Sequence, residues 1–315
     1  MNLSGHATLW IGFAAIIVVL LALDLGLFRK GSSEEMSLKE ALVRSALWIA
    51  LAAVFNGGVY KMLGEKRGLE FTASYLLEQA LSVDNLFVFV LIFSAFKVQQ
   101  AYQHRVLFWG IVGAVLLRGI FIGLGAALIN EFVWVTYIFG AILVWTAWKL
   151  IRGGDDDDEF DPNKNFAFRT FNKIVPSVPD FRGTHFMVKE NGKHLATPLL
   201  AVLVLVETSD VLFALDSIPA VFGVTADPFI VYTSNIFAIL GLRSLYFLLA
   251  KVVQHFAYLK IGLAIILSFV GLKMLIHKLY DFSIALSLGI IALVLAATVL
   301  ASVIWPKKDA PEPHG

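Results

Sequence analysis

The sequence predicts an all-α membrane protein of about nine transmembrane helices, in which two three-helix repeats lie in inverted orientation. Three observations support this fold class. The 315-residue chain is 58% hydrophobic and only 16% charged, and its mean hydropathy is +0.79, which is too apolar for a soluble domain. Its apolar runs are near twenty residues long, the length that crosses a bilayer. Two of these runs carry a similar pattern of acidic residues.

Composition also limits the functions that the chain can have. The net charge is +1, so we expect no nucleic-acid partner, which would require a broad basic surface. The chain has no cysteine, and this excludes disulfides, thiolate metal sites and thiol redox chemistry. The first apolar run lacks a preceding basic region and a small-residue cleavage site, so it is predicted to be an anchor instead of a cleaved signal.

The predicted spans are apolar runs bounded by charged residues. They cover residues 8–28, 42–63, 71–96, 106–129, 132–151, 197–222, 229–251, 258–277 and 282–305. A single transmembrane domain occupies residues 1–315, with the first repeat at 71–151 (spans 3–5) and the second at 197–277 (spans 6–8). Because each repeat has an odd number of helices, the two copies are expected to be inverted.

Lysine and arginine are distributed unevenly between the two sides of the predicted membrane. The richer side, which includes the 152–196 segment, is predicted to be cytoplasmic, with the N-terminus outside and the C-terminus inside the cytoplasmic (inner) membrane. The acidic run that opens this segment, GGDDDDEFDPN, predicts a solvated linker. Asn191-Gly192, flanked by alternating apolar residues, predicts a β-hairpin. Lys149, near the end of span 5, is interpreted as snorkelling to the membrane interface.

The stretch ETSDVLFALDSIPAVF, residues 207–222, carries three carboxylates at membrane depth: Glu207, Asp210 and Asp216. A charged side chain at the centre of a membrane helix costs roughly 2.5–3.5 kcal/mol, so these groups must face protein, a cation or water. Pro219 lacks a backbone donor and predicts a kink or break in the helix. Carboxylates beside a broken helix at this depth are typical of an ion site.

An earlier stretch, EQALSVDNLFVFV, repeats this pattern. Glu78 and Asp84 are six residues apart and Asn85 follows, just as the later pair of aspartates is six apart and Ser217 follows. On a straight helix such a pair points roughly 120° apart and lies roughly 9 Å apart along the axis. Both members can therefore reach one ion only if the helix unwinds locally, or else one of them faces an arginine.

An arginine lies in the apolar run that follows each motif. Arg118 comes 34 residues after Asp84, and Arg243 comes 27 residues after Asp216. Both are near mid-membrane, and each is expected to hold one aspartate of the repeats ionised and oriented, with direct contact to the substrate as the alternative. Asn235 is a further candidate oxygen ligand, with a role in helix packing as the alternative.

Charge counting favours a cation at this site. The five acids and two arginines sum to −3 when all are ionised, a deficit that disfavours an anion such as tellurite. Carboxylate, amide and hydroxyl oxygens suit Mg²⁺, Ca²⁺ and Mn²⁺ without distinguishing between them. The candidate metal ligands are the oxygen-bearing side chains of the two motifs: Glu78, Asp84, Asn85, Glu207, Asp210, Asp216 and Ser217.

The segments YLLEQALSVDNLFVFVLIF and LVLVETSDVLFALDSIPAVFGVTADPFIVYTSNIFAILGLRSLYFLLA resemble the TerC family of integral membrane proteins, and its Alx-like branch in particular. The resemblance covers nearly all nine spans. It implies a manganese-handling protein, an Mn²⁺ exporter of the cytoplasmic membrane, with a historical link to tellurium resistance. It places the family's acidic positions on the five acids of the two motifs.

The residues and the resemblance together predict a secondary transporter without a resident cofactor, and not an enzyme. The expected partners are a divalent metal ion and membrane lipid, and a homo-oligomer is left open. Protonation of a site carboxylate would lower cation affinity and couple export to pH. One alternative is a membrane scaffold that senses metal or delivers it to secretion or stress proteins, and another is a component of tellurium resistance. A third is an intramembrane aspartyl protease, but the sequence context typical of such proteases is missing around these acids.

Overall fold

The computed structural model describes residues 3–29, 37–152, 165–190, 192–252, 258–280 and 282–304. Within these ranges the chain forms ten helices and one two-stranded sheet. The helices are α1 (Leu3–Arg29), α2 (Leu38–Leu63), α3 (Glu65–Ala95), α4 (Gln100–Glu131), α5 (Trp134–Arg152), α6 (Phe166–Ile174), α7 (Pro198–Phe222), α8 (Pro228–Val252), α9 (Leu259–Leu275) and α10 (Ile284–Ile304). The strands are β1 (Met187–Glu190) and β2 (Lys193–Ala196). The acidic linker predicted at the start of the soluble segment lies outside the described residues.

The apolar helices correspond to the nine predicted spans. Seven of them are long and apolar enough to cross a membrane, namely α2, α3, α4, α5, α7, α8 and α10. Helices α1 and α9 contain the shorter apolar stretches Thr8–Leu23 and Ile261–Leu275. The all-α membrane class is therefore confirmed, whereas the inverted relation of the repeats stays a prediction.

The central helices pack in a regular pattern. Helix α3 packs against α2, α7 and α8, helix α4 packs against α7 and α8, and α5 packs against α9. If α3, α4 and α5 correspond to α7, α8 and α9, the counterpart of the contact between α3 and α8 is the contact between α7 and α4. Both contacts are present. A twofold relation between two three-helix units would produce this pattern.

Helices α5 and α9 approach each other closely at two glycines. A Cβ atom on Gly140 would lie 2.9 Å from the carbonyl oxygen of Gly271, and a Cβ atom on Gly271 would lie 2.8 Å from the carbonyl oxygen of Gly140. The two backbones are therefore in contact, which small residues permit between membrane helices. This crossing fixes α5 against the second three-helix unit.

Helix α7 runs unbroken from Pro198 to Phe222 and includes Pro219. The predicted break is absent: the helix continues through the proline and ends with a bond from the Gly223 N–H to the Pro219 carbonyl at 3.0 Å. The proline removes one helical hydrogen bond, but residues 217–222 are all buried, so packing against neighbouring helices holds the helix through it. As a regular helix, α7 keeps its two aspartates roughly 120° apart, so they face different neighbours.

A polar cluster ties the start of α3 to the turn between α7 and α8. The Glu70 carboxylate is 3% exposed and accepts hydrogen bonds from Arg67 Nη1 at 2.6 Å and from the Thr225 hydroxyl at 2.8 Å. Arg67 Nε also lies 3.2 Å from Asp227 Oδ2. These contacts join the two three-helix units at one end of the bundle.

The described residues between α5 and α7, 165–190 and 192–197, form a small cap on the helices. Helix α6, which the sequence analysis did not predict, begins after Asn165, whose side-chain oxygen caps its first turn. Strands β1 and β2 pair antiparallel, and Gly192 in their turn has φ +78°, a conformation that favours glycine. The cap docks onto α4, where Arg105 Nη1 donates to the Thr184 hydroxyl at 3.0 Å.

Candidate functional site

Arg118 of α4 lies at the centre of a fully buried polar network. Its side chain is 0% exposed. Its Nη1 donates to Oε2 of Glu78 at 3.0 Å and to Oγ of Ser217 at 3.2 Å. Its Nη2 and Nε donate to the two carboxylate oxygens of Asp210 at 2.9 and 3.3 Å. The guanidinium therefore holds one acid from each motif, and its two-point contact with Asp210 is the geometry that arginine favours with carboxylates.

Helix α8 completes this network through Asn235. Its Nδ2 donates to the remaining oxygen of Glu78, Oε1, at 2.7 Å, so both oxygens of that buried carboxylate have donors. The five residues Glu78, Arg118, Asp210, Ser217 and Asn235 are called the central network below. With two carboxylates and one guanidinium it carries a net charge of −1 when all three groups are ionised.

Arg243 of α8 shares a cavity with Asp210. The two residues line a cavity of about 20 Å³ between α3, α4, α7 and α8, and Arg243 is 4% exposed. The sequence analysis expected each arginine to orient one repeat acid. Arg118 instead binds an acid from both motifs, an arrangement that spacing along the chain does not reveal.

Asp216 faces α5 and not Arg118. Its Oδ1 accepts a hydrogen bond from the Thr146 hydroxyl at 2.9 Å. These two residues and Asn85 line a cavity of about 40 Å³ with apolar walls, and a cavity needs only about 10–15 Å³ to hold a water molecule. Asn85 is 4% exposed, and its Nδ2 has no hydrogen-bond partner within the described ranges. Asp216, Thr146 and Asn85 are called the lateral pocket below.

The lateral pocket adjoins a larger groove between α3, α4, α5 and α7. This groove has a volume of about 900 Å³ and mostly apolar walls, and Asp216, Thr146 and Lys149 contribute polar groups to it. Lys149 follows Thr146 by three residues, so both lie on the same face of α5. A carboxylate from α7 and an ammonium group from α5 therefore line the same groove.

Glu207 shares a hydrogen bond with neither group, although it lies one turn before Asp210 on α7. Its carboxylate packs onto Gly113 of α4, where a Cβ atom would collide with it. Its Oε2 is buried and has no hydrogen-bond partner in the part of the chain that the structure describes. Glycine at position 113 is thus what gives this acid room beside α4.

The structure divides the predicted ligands instead of gathering them. Among the described side chains, no group of three or more histidines and acids converges as a metal cluster. Arg118 binds Glu78, Asp210 and Ser217, and Asn235 joins this network through Glu78. The lateral pocket is lined by Asn85 and Asp216, and Glu207 packs onto Gly113. The side chain of Asp84 lies outside the described residues. The sequence analysis missed Thr146, whose only signal was a hydroxyl one turn before a lysine in a span without acids.

Comparison with known proteins identifies the family. Residues 63–310 match the family model described as "Integral membrane protein TerC family". The chain belongs to the TerC family. The matched region runs from the end of α2 to beyond the described end of α10, so this TerC-family region contains the central network and the lateral pocket.

Several relatives match along almost their whole length. An uncharacterized membrane protein of Myxococcus xanthus is 50% identical over 313 residues, covering 98% of this chain and 97% of that protein. The Escherichia coli K12 protein named "Putative membrane-bound redox modulator Alx" is 44% identical over 308 residues, covering 95% of each chain. A Rickettsia bellii membrane protein is 42% identical over 295 residues, covering 94% and 97%. No solved structure matches the chain.

Proposed function

We propose that this TerC-family chain transports a divalent metal ion across the cytoplasmic membrane, and that it exports Mn²⁺. The observation that carries the proposal is Asp216, a partly buried acid at membrane depth that opens on a cavity beside a hydroxyl and an amide. An acid at this depth is costly and marks an ion or proton pathway by default. Its neighbours in the lateral pocket offer the oxygen ligands that hard divalent cations prefer.

The central network supports the proposal because two other buried acids are already paired in it. Glu78 and Asp210 already share the guanidinium of Arg118, so neither is free to bind a cation without losing that partner. Because Glu78 belongs to α3 and Asp210 to α7, the network also links the two three-helix units at their centre. In the proposed mechanism the units rock about this link and expose the lateral pocket to each side in turn.

Manganese as the ion and export as the direction rest on the resemblance of the two motifs. Oxygen ligands alone do not distinguish Mn²⁺ from Mg²⁺ or Ca²⁺. The name of the Escherichia coli relative refers to redox modulation. A thiol-based redox activity is excluded for this chain, which has no cysteine, whereas movement of a redox-active metal would change redox balance indirectly.

The direct test is Mn²⁺ flux in proteoliposomes with and without a pH gradient. We expect flux by the unmodified chain and about tenfold or greater loss in Asp216→Asn, because the negative charge of the ligand is lost. We expect no change in the control Asp180→Asn, which alters an exposed aspartate of the cap. Flux that follows the proton gradient would establish proton coupling. Folded protein without flux would instead support the scaffold alternative, and equal flux in Asp216→Asn would place the ion path elsewhere.

A further inference from the structure

We infer that Thr146 of α5 orients Asp216 and offers a further oxygen to the ion there, and that Lys149 of α5 is a cation that the transported ion displaces. This inference rests on the proposed transport function. It assigns a part in the site to α5, a helix without acidic residues. It also replaces the interpretation of Lys149 as a residue that only snorkels to the membrane interface.

The hydrogen bond between Thr146 and Asp216 orients both side chains. Because its hydroxyl hydrogen is donated to Asp216 Oδ1 at 2.9 Å, the two lone pairs of the hydroxyl oxygen point elsewhere and can accept a cation. The bond also fixes the rotation of the carboxylate and leaves Oδ2 without a donor among the described residues. Two oxygens, one from α7 and one from α5, are thus presented together at the edge of the 40 Å³ cavity.

The buried amide of Asn85 is the independent sign that this cavity takes a ligand. Its side chain is only 4% exposed and lines the cavity. Its amide nitrogen has no hydrogen-bond partner among the described residues. A buried polar group without a partner is costly. Rotation of the amide by 180° would present its oxygen to the cavity, since the two orientations have nearly the same shape. The pocket therefore offers carboxylate, hydroxyl and amide oxygens to one ion.

Lys149 supplies the positive charge that Asp216 needs when no ion is bound. The two groups line the same groove, and opposite charges on facing helices attract each other across it. They do not form a direct ion pair among the contacts of the described residues. The ammonium on its flexible four-carbon stem can therefore withdraw along the groove when a divalent ion arrives.

Mn²⁺ binding to the purified full chain, measured by equilibrium dialysis and paired with flux in proteoliposomes, tests the inference. We expect Thr146→Val to weaken binding about tenfold, as loss of an orienting group does, and Thr146→Ser to restore it. Lys149→Met should tighten binding about tenfold because the competing charge is gone. It should also lower the KM and the kcat of flux, since release slows. Lys149→Arg keeps the charge and should behave like the unmodified chain.

The control is Lys273→Met, which removes a half-buried lysine of α9 that donates to Ser287 at 3.1 Å, and it should leave Mn²⁺ affinity unchanged. If Lys149→Met binds no more tightly than this control, the lysine is an interface residue and the inference fails. If Thr146→Val, or Thr146→Ala should the valine variant not fold, binds like the unmodified chain, the role of Thr146 fails. If the unmodified chain neither binds nor moves Mn²⁺, the proposed transport function fails instead.

Discussion

Replacement of Arg118 by methionine tests whether the central network holds the bundle together. Methionine is long, flexible and apolar, so the substitution removes the charge and the four hydrogen bonds of the guanidinium while filling much of its space. The side chain is 0% exposed, so water cannot replace the lost donors. Two carboxylates, Glu78 and Asp210, would be left without the cation that they share.

The expected cost follows from this geometry. Removal of one partner from a buried ion pair destabilises a protein by about 3–5 kcal/mol, because the remaining charge is uncompensated. Since Arg118 serves two acids, we expect a loss of free energy of unfolding near the upper end, about 5 kcal/mol. A loss of 1 kcal/mol lowers the unfolding midpoint by about 2–4 °C in chains of 150–250 residues and by about 1.5 °C in a chain of 315 residues. Arg118→Met should therefore unfold about 8 °C lower.

Thermal unfolding in detergent, followed by the fluorescence of the seven tryptophans, measures this loss. The control Arg182→Met removes a surface pair with Glu190 at 3.3 Å, whose side chains are 49% and 42% exposed, and should cost less than about 1 kcal/mol. The triple variant that adds Glu78→Gln and Asp210→Asn should regain stability, because no unpaired charge remains. If Arg118→Met matches the control, or the triple variant regains nothing, the reasoning is refuted.

Three further predictions concern contacts between helices. Gly140→Val should lower the unfolding midpoint by about 3 °C, because overpacking costs about 1–3 kcal/mol. The control Gly123→Val, with nothing within 4 Å of its Cβ, should not lower it, and equal midpoints would contradict the close crossing of α5 and α9. Gly113→Ala should displace the facing carboxylate of Glu207 and change the KM of Mn²⁺ flux. An unchanged KM would remove Glu207 from the ion pathway. Glu70→Gln and Thr225→Val should each cost about 1–3 kcal/mol. Their unfolding midpoints should combine non-additively, since the two residues share one hydrogen bond of 2.8 Å, and strict additivity would argue against that bond.

The fold class and the spans could be predicted from sequence because both depend on local composition. An apolar run of about twenty residues must form a helix in a bilayer, where every backbone polar group needs an internal partner. The sixth predicted span, 197–222, accordingly matches α7, Pro198–Phe222. Helix α6 was missed because nine residues are too few to form a stable helix alone. It depends on docking against the membrane helices, which local sequence does not encode.

The candidate site could be predicted only in part for a related reason. Helical geometry separates Asp210 and Asp216 by roughly 120°, but which helix each one meets is a tertiary fact. The predicted break at Pro219 would have allowed both to reach one ion. Because α7 stays helical through that proline, one aspartate meets Arg118 of α4 and the other meets Thr146 of α5.

This separation gives the two polar groups different expected roles, and the roles can be measured independently. The central network is closed, since its acids already have donors on buried partners, so loss of Arg118 should reduce stability first. The lateral pocket is open, since Asp216 has one hydrogen bond and a cavity beside it. Asp216→Asn retains an acceptor for Thr146 and should therefore lose Mn²⁺ flux while its unfolding midpoint stays close to that of the unmodified chain. A large fall in that midpoint would show that Asp216 is a structural acid, and the proposed division between a fixed centre and an ion-binding pocket would then be wrong.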